Sequence, residues 1–198
     1  MPYSLDPLQD NCYPGTSVLI NLLNIRDENE LQIHETGITR LRMTQWEANP
    51  RSSSFDFGHY KAIHAYLFGD LYDWAGQVRT VNIAKKGTVF CPAEMIEERA
   101  SLIFTRLKQR NYFKGLSKKK FVDELVDFYC VTNELHPFRE GNGRTQRLFL
   151  AQLATNAGYE LNYYELDVDL LMLATIQASQ GVTDLLHRIF SETVREEK

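Results

Sequence analysis

The stretch HPFREGNGRTQR at residues 136–147 constrains the fold more than any other part of this chain. Before it, residues 118–135 place apolar side chains at helical spacing, and Pro137 disfavours helical backbone at the residue that precedes it. Gly141 and Gly143 allow a tight turn with positive φ and leave space for a ligand. Helical spacing resumes after the second glycine. The pattern therefore predicts a helix, a tight turn that cradles an anion, and a second helix.

The same stretch carries a set of groups that suits a polyphosphate. Backbone amides at a helix N-terminus, together with the helix dipole, form an anion site. Arg144 and Arg147 are expected in the first turn of the second helix, where two cations are unfavourable unless a bound polyphosphate offsets them. Glu140 suits a magnesium ion that bridges phosphates, and His136 suits a general base. For His136 alone a structural role is the better interpretation, but the complete set favours catalysis.

At every defined position the stretch resembles the Fic signature HxFx[DE]GNGRxxR. Proteins with this signature transfer AMP from ATP to a hydroxyl of a target protein. Neither the Walker phosphate loop nor the dinucleotide fingerprint has this glycine spacing, and no second histidine stands at the spacing of a zinc site. The resemblance extends over about residues 13–195, and the layout is most similar to the compact bacterial Fic toxins.

The resemblance implies a role for each residue of the motif. His136 is expected to deprotonate the target hydroxyl, and Glu140 to hold Mg²⁺ on the α- and β-phosphates of the co-substrate ATP. The other positions are expected to bind phosphate or to support the loop: Asn142 and Gly143 in the anion hole, Gly141 beside them as a further phosphate-binding residue, Arg144 and Arg147 on the β- and γ-phosphates, and Phe138 as a structural plug.

A hairpin is predicted at residues 78–92. Residues 78–83 alternate and are rich in β-branched side chains, residues 84–87 are a turn, and residues 88–92 are a second short strand. The resemblance implies that this hairpin is a flap that aligns a target segment by strand addition. The residues expected to dock the target are Thr80, Val81, Asn82, Ile83, Lys85 and Lys86, although the two lysines are also typical of a solvated turn.

Outside the motif, helical spacing and capping residues predict helices over about residues 28–46, 56–71, 93–111, 162–178 and 182–194. Residues 1–26 are expected to be partly irregular, with a turn at 13–16 and one or two helical turns within 18–23, and residues 48–54 are expected to be a loop. His59 and His64 are assigned structural roles. Residues expected in the core, one of which could face adenine, are Tyr163, Tyr164, Leu170 and Met172.

The fold class that follows is all-α, a Fic fold in which a helical bundle surrounds the helix–anion-loop–helix motif and carries one hairpin flap. With 198 residues the chain is expected to form a single domain over 1–198. A net charge of −4 argues against direct nucleic-acid binding. No signal peptide and no long apolar run is seen, and Cys12, Cys91 and Cys130 fit free thiols, so a cytoplasmic protein without membrane contact is expected.

Two alternatives to AMP transfer remain open. A kinase of the Doc type would transfer the γ-phosphate, but that branch lacks the Gly-Asn-Gly turn, so Gly143 argues against it. A phosphate- or nucleotide-binding module without activity would not require the complete set of His136, Glu140 and two arginines. The target is open as well. By analogy with similar compact toxins, a type II topoisomerase subunit is expected.

The resemblance also raises the question of control. Fic proteins are commonly inhibited by a helix with the pattern [ST]xxxE[GN], whose glutamate pairs with the second motif arginine, here Arg147. In this chain only Thr193 and Glu197 have the required spacing, and Lys198 follows instead of Gly or Asn. We therefore expect a small antitoxin to supply the inhibitory helix, with this protein as the toxin of the pair.

Overall fold

The computed structural model describes residues 3–4, 11–48, 54–85 and 88–197. Within these ranges the protein is mainly helical, with seven α-helices and two small sheets. The helices are α1 Glu28–Ala48, α2 Phe57–Phe68, α3 Ile96–Gln109, α4 Lys118–Leu135, α5 Asn142–Asn156, α6 Val168–Ser179 and α7 Asp184–Thr193. The strands are β1 Tyr3–Ser4, β2 Ile83–Lys85, β3 Thr88–Val89, β4 Tyr159–Leu161 and β5 Val194–Glu196. This confirms the predicted mainly helical fold class.

Helix α4, which ends just before the motif, and helix α5, which contains its second half, lie at the centre of the bundle. Helix α5 packs against α2 and α4, and α4 also contacts α3, α6 and α7. Between them the rings of Phe104, Phe128 and Phe149 meet edge-to-face or stacked at 5.7–5.8 Å. Each fully buried side chain of this kind contributes about 1.5–3 kcal/mol. The motif is therefore built on two helices that each pack against several others.

Capping residues define several helix starts as predicted. The Asp27 carboxylate accepts from the amide of Glu30 at 2.9 Å, and the Asp56 carboxylate accepts from the amide of His59 at 2.8 Å. Two predicted helices are shorter than expected. Residues 93–95 and 163–165 form 3₁₀ turns, so α3 begins at residue 96 and α6 at residue 168. Helix α6 starts late because Asp167 caps it, accepting from two amides at 3.0 Å.

The predicted hairpin exists, but its strands are shorter and shifted. Strand β2 starts at residue 83 rather than 78, because the amide of Arg79 donates to the carbonyl of Pro137 at 2.9 Å instead of joining a ladder. Strand β3 ends at residue 89, because the amide of Cys91 donates to Glu134 at 3.0 Å. Strand β2 is also the middle strand of a three-stranded sheet, since β1 pairs antiparallel with its outer edge.

Two further regions differ from the expectation. The last predicted helix is present as α7 but spans only residues 184–193, and residues 194–196 form β5, which pairs antiparallel with β4. No local sequence pattern predicts a pairing between strands that lie this far apart in the chain. Residues 18–23 are irregular rather than helical, because the amides of Ile20 and Leu22 donate to the carbonyls of Asn11 and Leu71. None of the described helices is long and apolar enough to cross a membrane.

Candidate active site

His136 is the first residue after α4, as the following proline predicted. Its backbone is left-handed, with φ 41° and ψ 60°. The ring Nδ1 lies 3.1 Å from the carbonyl of Asn133, so Nδ1 carries the proton and Nε2 keeps its lone pair. Phe90 stacks on the imidazole at 3.7 Å. Burial, helped by the positive charges of Arg79 and Lys85, lowers the pKa of His136 to about 3, so the ring is neutral.

The loop after His136 is held by its own side chains. Phe138 is fully buried and stacks on His64 with ring centroids 3.8 Å apart. The Asn142 side chain brackets this residue: its Oδ1 accepts from the Phe138 amide at 2.9 Å, and its Nδ2 donates to the Phe138 carbonyl at 2.7 Å. Because both polar atoms of the Asn142 side chain are bonded to Phe138, only its backbone amide can bind an anion.

His64, although outside the motif, supports Glu140. The Nδ1 of His64 accepts from the amide of Gly76 at 2.8 Å, so Nε2 carries the proton and donates to the carbonyl of Glu140 at 3.0 Å. Burial first, and then the charge of Arg144, lower the pKa of His64 to about 3. His59 has no such link to the motif and meets Gln152 at 2.8 Å. Both histidines fit the structural roles expected of them, and His64 plays its role at the site.

Helix α5 begins at Asn142, two residues earlier than predicted. Gly141 is its N-cap, with φ 82° and no side-chain cap, so the amides of the first turn have no side-chain acceptor. Gly143 is part of the helix and does not have the positive φ that was expected. Glu140 accepts from the amide of Gly141 at 2.9 Å through Oε1, whereas its Oε2 is buried without a hydrogen-bond partner among the residues described. The turn therefore combines free donors with one free carboxylate oxygen.

Arg144 points toward α1 and is neutralised there. Its guanidinium pairs with Glu35 of α1 and, more weakly, with Glu140 at 3.4 Å, and it lies 4.7 Å above the ring of Phe68. Glu35 is buried and also accepts from the hydroxyl of Tyr72. Because the Glu35 carboxylate balances most of the positive charge of Arg144, the negative charge of Glu140 is left largely uncompensated. The expected contact between Arg144 and phosphate remains a prediction.

Arg147 has a different environment. It lies in the second turn of α5 rather than the first, is half-buried, and forms no ion pair with any residue in the described ranges. Burial lowers its pKa, an effect that nearby Tyr129 opposes and Arg144 reinforces. A Cβ at Gly143 would lie 3.3 Å from Nη1 of Arg147, so the glycine keeps open the space beside the guanidinium. A half-buried cation without a partner favours an anionic ligand.

These groups face one cavity of about 200 Å³. Its motif wall is formed by His136, Glu140, Asn142, Gly143 and Arg147, and its opposite wall by α6, including Leu171, Met172, Thr175 and Ile176. Arg144 and Gly141 do not line it. A larger open cleft of about 790 Å³ lies at the start of α2 and along α3, and it contains none of the motif residues. The chemistry is therefore concentrated in the smaller cavity.

Comparison with known proteins agrees with this geometry. Residues 54–154, just over half of the chain, match the Fic/DOC family. This chain belongs to the Fic/DOC family. It is 38% identical over 184 residues to a probable protein adenylyltransferase Fic of Escherichia coli K12, covering 93% of this chain and 91% of the relative. It is 42% identical over 177 residues to the probable protein adenylyltransferase y4lH of Sinorhizobium fredii, covering 89% of each.

A solved Fic structure has the same fold. The BepC protein of Bartonella tribocorum, with bound AMPPNP, superimposes with a TM-score of 0.90 at 27% identity. The match covers 96% of this chain and 98% of that one. The likeness therefore extends over nearly the whole chain.

The hairpin contributes to the cavity of this Fic protein, but not with all the residues expected. Lys85, Thr88 and Phe90 line the cavity. Val81 and Ile83 are buried and form a small apolar cluster with Phe90. Thr80 and Asn82 do not line it: Thr80 is exposed, and Asn82 accepts from the amide of Ala93 at 2.9 Å. Lys86 lies outside the described residues.

Sequence reasoning missed the buried polar residues that hold the Fic motif from outside. Arg79 donates to the carbonyl of His136, His64 to the carbonyl of Glu140, and Glu35 accepts from Arg144. Helical periodicity marks Glu35 only as one position of an amphipathic helix, and Arg79 only as a basic residue among alternating apolar ones. No local signal could have identified their partners.

Proposed function

We propose that this protein is an adenylyltransferase that transfers AMP from ATP to a hydroxyl side chain of a protein. The observation that carries the proposal is the composition of one cavity. It brings together a neutral imidazole nitrogen of His136 with a carboxylate oxygen of Glu140 and the guanidinium of Arg147, neither of which has a partner among the described residues. The names of the relatives and the AMPPNP bound to the related structure support the same activity.

In this proposal the acceptor hydroxyl attacks the α-phosphorus in line. A bond forms between the acceptor oxygen and the α-phosphorus, the bond to the bridging oxygen breaks, and pyrophosphate leaves. The proton of the hydroxyl moves to Nε2 of His136, whose Nδ1–H is fixed on Asn133. Burial and two cations lower the pKa of this ring without ligand, and the negative charge of a bound triphosphate raises it again.

Arg147 and the amides at the start of α5 are assigned to the phosphates. The guanidinium supplies two parallel donors to an anion and has no carboxylate partner in the described structure to displace. The helix dipole adds to the attraction. We assign Arg144 to holding Glu140 in place, because most of its charge is balanced by Glu35. The leaving pyrophosphate is thus stabilised by groups that are in place before ATP binds.

The free oxygen of Glu140 fits a magnesium ion. Mg²⁺ is usually bound through one or two carboxylates together with substrate phosphates. Glu140 has one oxygen on the Gly141 amide and the other buried without a partner among the described residues, which is the donor that such an ion requires. When bound, the ion would neutralise charge on the α- and β-phosphates. His64 and Glu35 keep this carboxylate in place and unneutralised.

We assign the adenine to the wall formed by α6. Leu171, Met172, Thr175 and Ile176 line the cavity opposite the motif and provide an apolar surface with one hydroxyl. Of the four core residues considered from the sequence, only Met172 lies at this wall. A flat aromatic base suits such a surface.

The hairpin is proposed as the docking element for the target protein. Lys85 and Thr88 border the cavity beside His136, where an acceptor side chain must enter. Because β2 is the middle strand, a target segment adds to the free edge of β3 or displaces β1. Backbone pairing of this kind accepts many sequences, so contacts outside the hairpin must select the target. By analogy, the target is a type II topoisomerase subunit.

Labelled ATP distinguishes this proposal from the two alternatives. Purified protein is incubated with a bacterial lysate and with ATP labelled at the α- or the γ-phosphate. AMP transfer labels a protein from the α position only, a Doc-like kinase labels from the γ position only, and a binding module labels neither. His136→Ala is the control, and it should abolish labelling while ATP binding, measured by calorimetry, is retained. Label from the α position that persists in His136→Ala would contradict the assignment of the base.

A toxin role in the bacterial cytoplasm is the finer part of the proposal. Thr193 ends α7 and Glu197 follows strand β5, so the two residues of the only partial inhibitory pattern do not share a helix. Arg147, which has no ion-pair partner in the described part of the chain, is available to a glutamate from a small antitoxin. The three cysteines are free thiols, which fits a reducing compartment.

Growth assays test this role. Expression of the chain alone should arrest bacterial growth, and His136→Ala should not. A co-expressed small protein with the [ST]xxxE[GN] pattern should relieve the arrest. If the chain is harmless but becomes toxic as Glu197→Ala, its own C-terminal segment is the inhibitor and the two-component proposal is wrong.

A further inference from the structure

Arg79 is a buried cation whose hydrogen bonds the mechanism above does not use. It is 5% exposed, and none of the described ion pairs includes it. Burial lowers its pKa to about 10. A guanidinium has five N–H donors in a fixed plane, and burying it is unfavourable unless acceptors surround it. The nature of these acceptors shows what the side chain does.

The acceptors are three backbone carbonyls from three different segments. Nε donates to His136 at 2.9 Å, Nη1 donates to Val81 at 2.7 Å, and Nη2 donates to Cys91. Val81 precedes β2 and Cys91 follows β3, so the side chain joins both ends of the hairpin to the base residue. The amide of Arg79 adds a fourth link, to the carbonyl of Pro137 at 2.9 Å.

The hydrogen bond from Arg79 to the carbonyl of His136 stabilises an unfavourable backbone conformation. His136 has a left-handed backbone, which is unfavourable for a residue with a side chain unless its surroundings hold it. Phe90, next to Cys91, stacks on the imidazole at 3.7 Å. Arg79 therefore fixes the backbone of His136 directly and its ring through the end of β3.

We propose that Arg79 is a positioning residue that sets the hairpin at a fixed distance from Nε2 of His136. A hydroxyl on a target segment that is bound to the hairpin is then positioned next to the base. This inference rests on the proposed AMP transfer. Lysine cannot replace the arginine, because its ammonium is a single point that cannot reach three carbonyls lying in different directions.

The test uses the full chain with Arg79→Lys and Arg79→Met. The control is Arg42→Lys, because Arg42 pairs with Asp70 at the surface, away from the motif. Three quantities are measured: the initial rate of α-phosphate labelling of lysate proteins, the affinity for ATP by calorimetry, and the ring resonances of the histidines by NMR. His136→Gln identifies the resonance of His136, and His64 serves as an internal reference for a second buried, neutral ring.

For both Arg79 variants we expect labelling to fall about 10- to 100-fold, as for a misplaced reacting group. The affinity for ATP should be unchanged, and the resonance of His136 should move while that of His64 stays. The proposal is overturned by labelling at the wild-type rate, by equal losses of labelling and ATP affinity with movement of both resonances, or by failure of both variants to fold. If the wild-type chain labels nothing, the proposed function fails, whereas the NMR comparison still tests the positioning.

Discussion

Gly141→Ala should destabilise the protein, because the turn before α5 has no room for a methyl group. Gly141 has φ +82°, and a Cβ built on it lies 2.9 Å from Cε1 of Phe68 and closer still to Cε2 and Cζ. Phe68 is fully buried, stacks on His64 at 4.7 Å and carries the guanidinium of Arg144 at 4.7 Å. The Phe68 ring cannot shift without moving His64 and Arg144, which both contact Glu140.

Two unfavourable effects add in this variant. A left-handed backbone costs an alanine about 1–2 kcal/mol relative to glycine. Extra volume in a well-packed core costs about 1–3 kcal/mol. Together they lower the free energy of unfolding by about 2–5 kcal/mol. For a chain of this size the melting temperature should fall by about 4–20 °C.

Gly143→Ala is the matched control, two residues further along the same turn. Gly143 has no positive φ, and its Cβ would contact only Nη1 of Arg147, the end of a flexible side chain, at 3.3 Å. Because it lies in a helix, the alanine should leave stability unchanged or raise it by about 0.4–1 kcal/mol. It should instead weaken ATP binding at least about tenfold, since the methyl group occupies the space beside Arg147.

Thermal or urea unfolding and calorimetric titration with ATP separate the two variants. A melting temperature of Gly141→Ala that equals the wild-type value would refute the steric argument. The assignment of the phosphate site to the space beside Arg147 fails if Gly143→Ala binds ATP as tightly as the wild type.

Three other perturbations follow from the same geometry. Arg147→Ala should weaken ATP binding at least about tenfold through loss of a bidentate partner, and unchanged calorimetric affinity would remove its phosphate role. Glu140→Gln should weaken Mg²⁺ uptake by the ATP complex, with activity partly restored by excess Mg²⁺; a magnesium titration identical to wild type would argue against this ligand. In the native state the pKa values of His64 and His136 are about 3, whereas a histidine in the unfolded chain has a pKa of about 6.5. Between these two pH values the unfolded chain therefore binds two protons that the native state does not. Stability should therefore fall as the pH is lowered from about 6.5 to 4.5, and a urea midpoint that stays constant across this range would contradict the neutral rings.

Local sequence predicted those features of the fold that local forces control. The proline after His136 ends α4 at the residue expected, and Asp56 caps α2 as expected. The hairpin was recognised, but β-branched alternation over residues 78–83 did not reveal that the amide of Arg79 bonds to Pro137, which delays β2 to residue 83. Likewise, β5 depends on pairing with β4, and its residues continue the helical spacing of α7.

The sequence by itself determined the chemistry of the motif, because its base, carboxylate, turn and second arginine lie within twelve consecutive residues. At that separation, helix geometry and turn preferences largely decide where each group lies. Only the tertiary structure decided how these groups are held. Arg79 reaches His136 across 57 residues, His64 reaches Glu140 across 76, and Arg144 meets Glu35 across 109. Periodicity indicates which face of a helix is buried, but the partner of a buried polar group is set by how the helices pack, and that information is distributed over the whole chain.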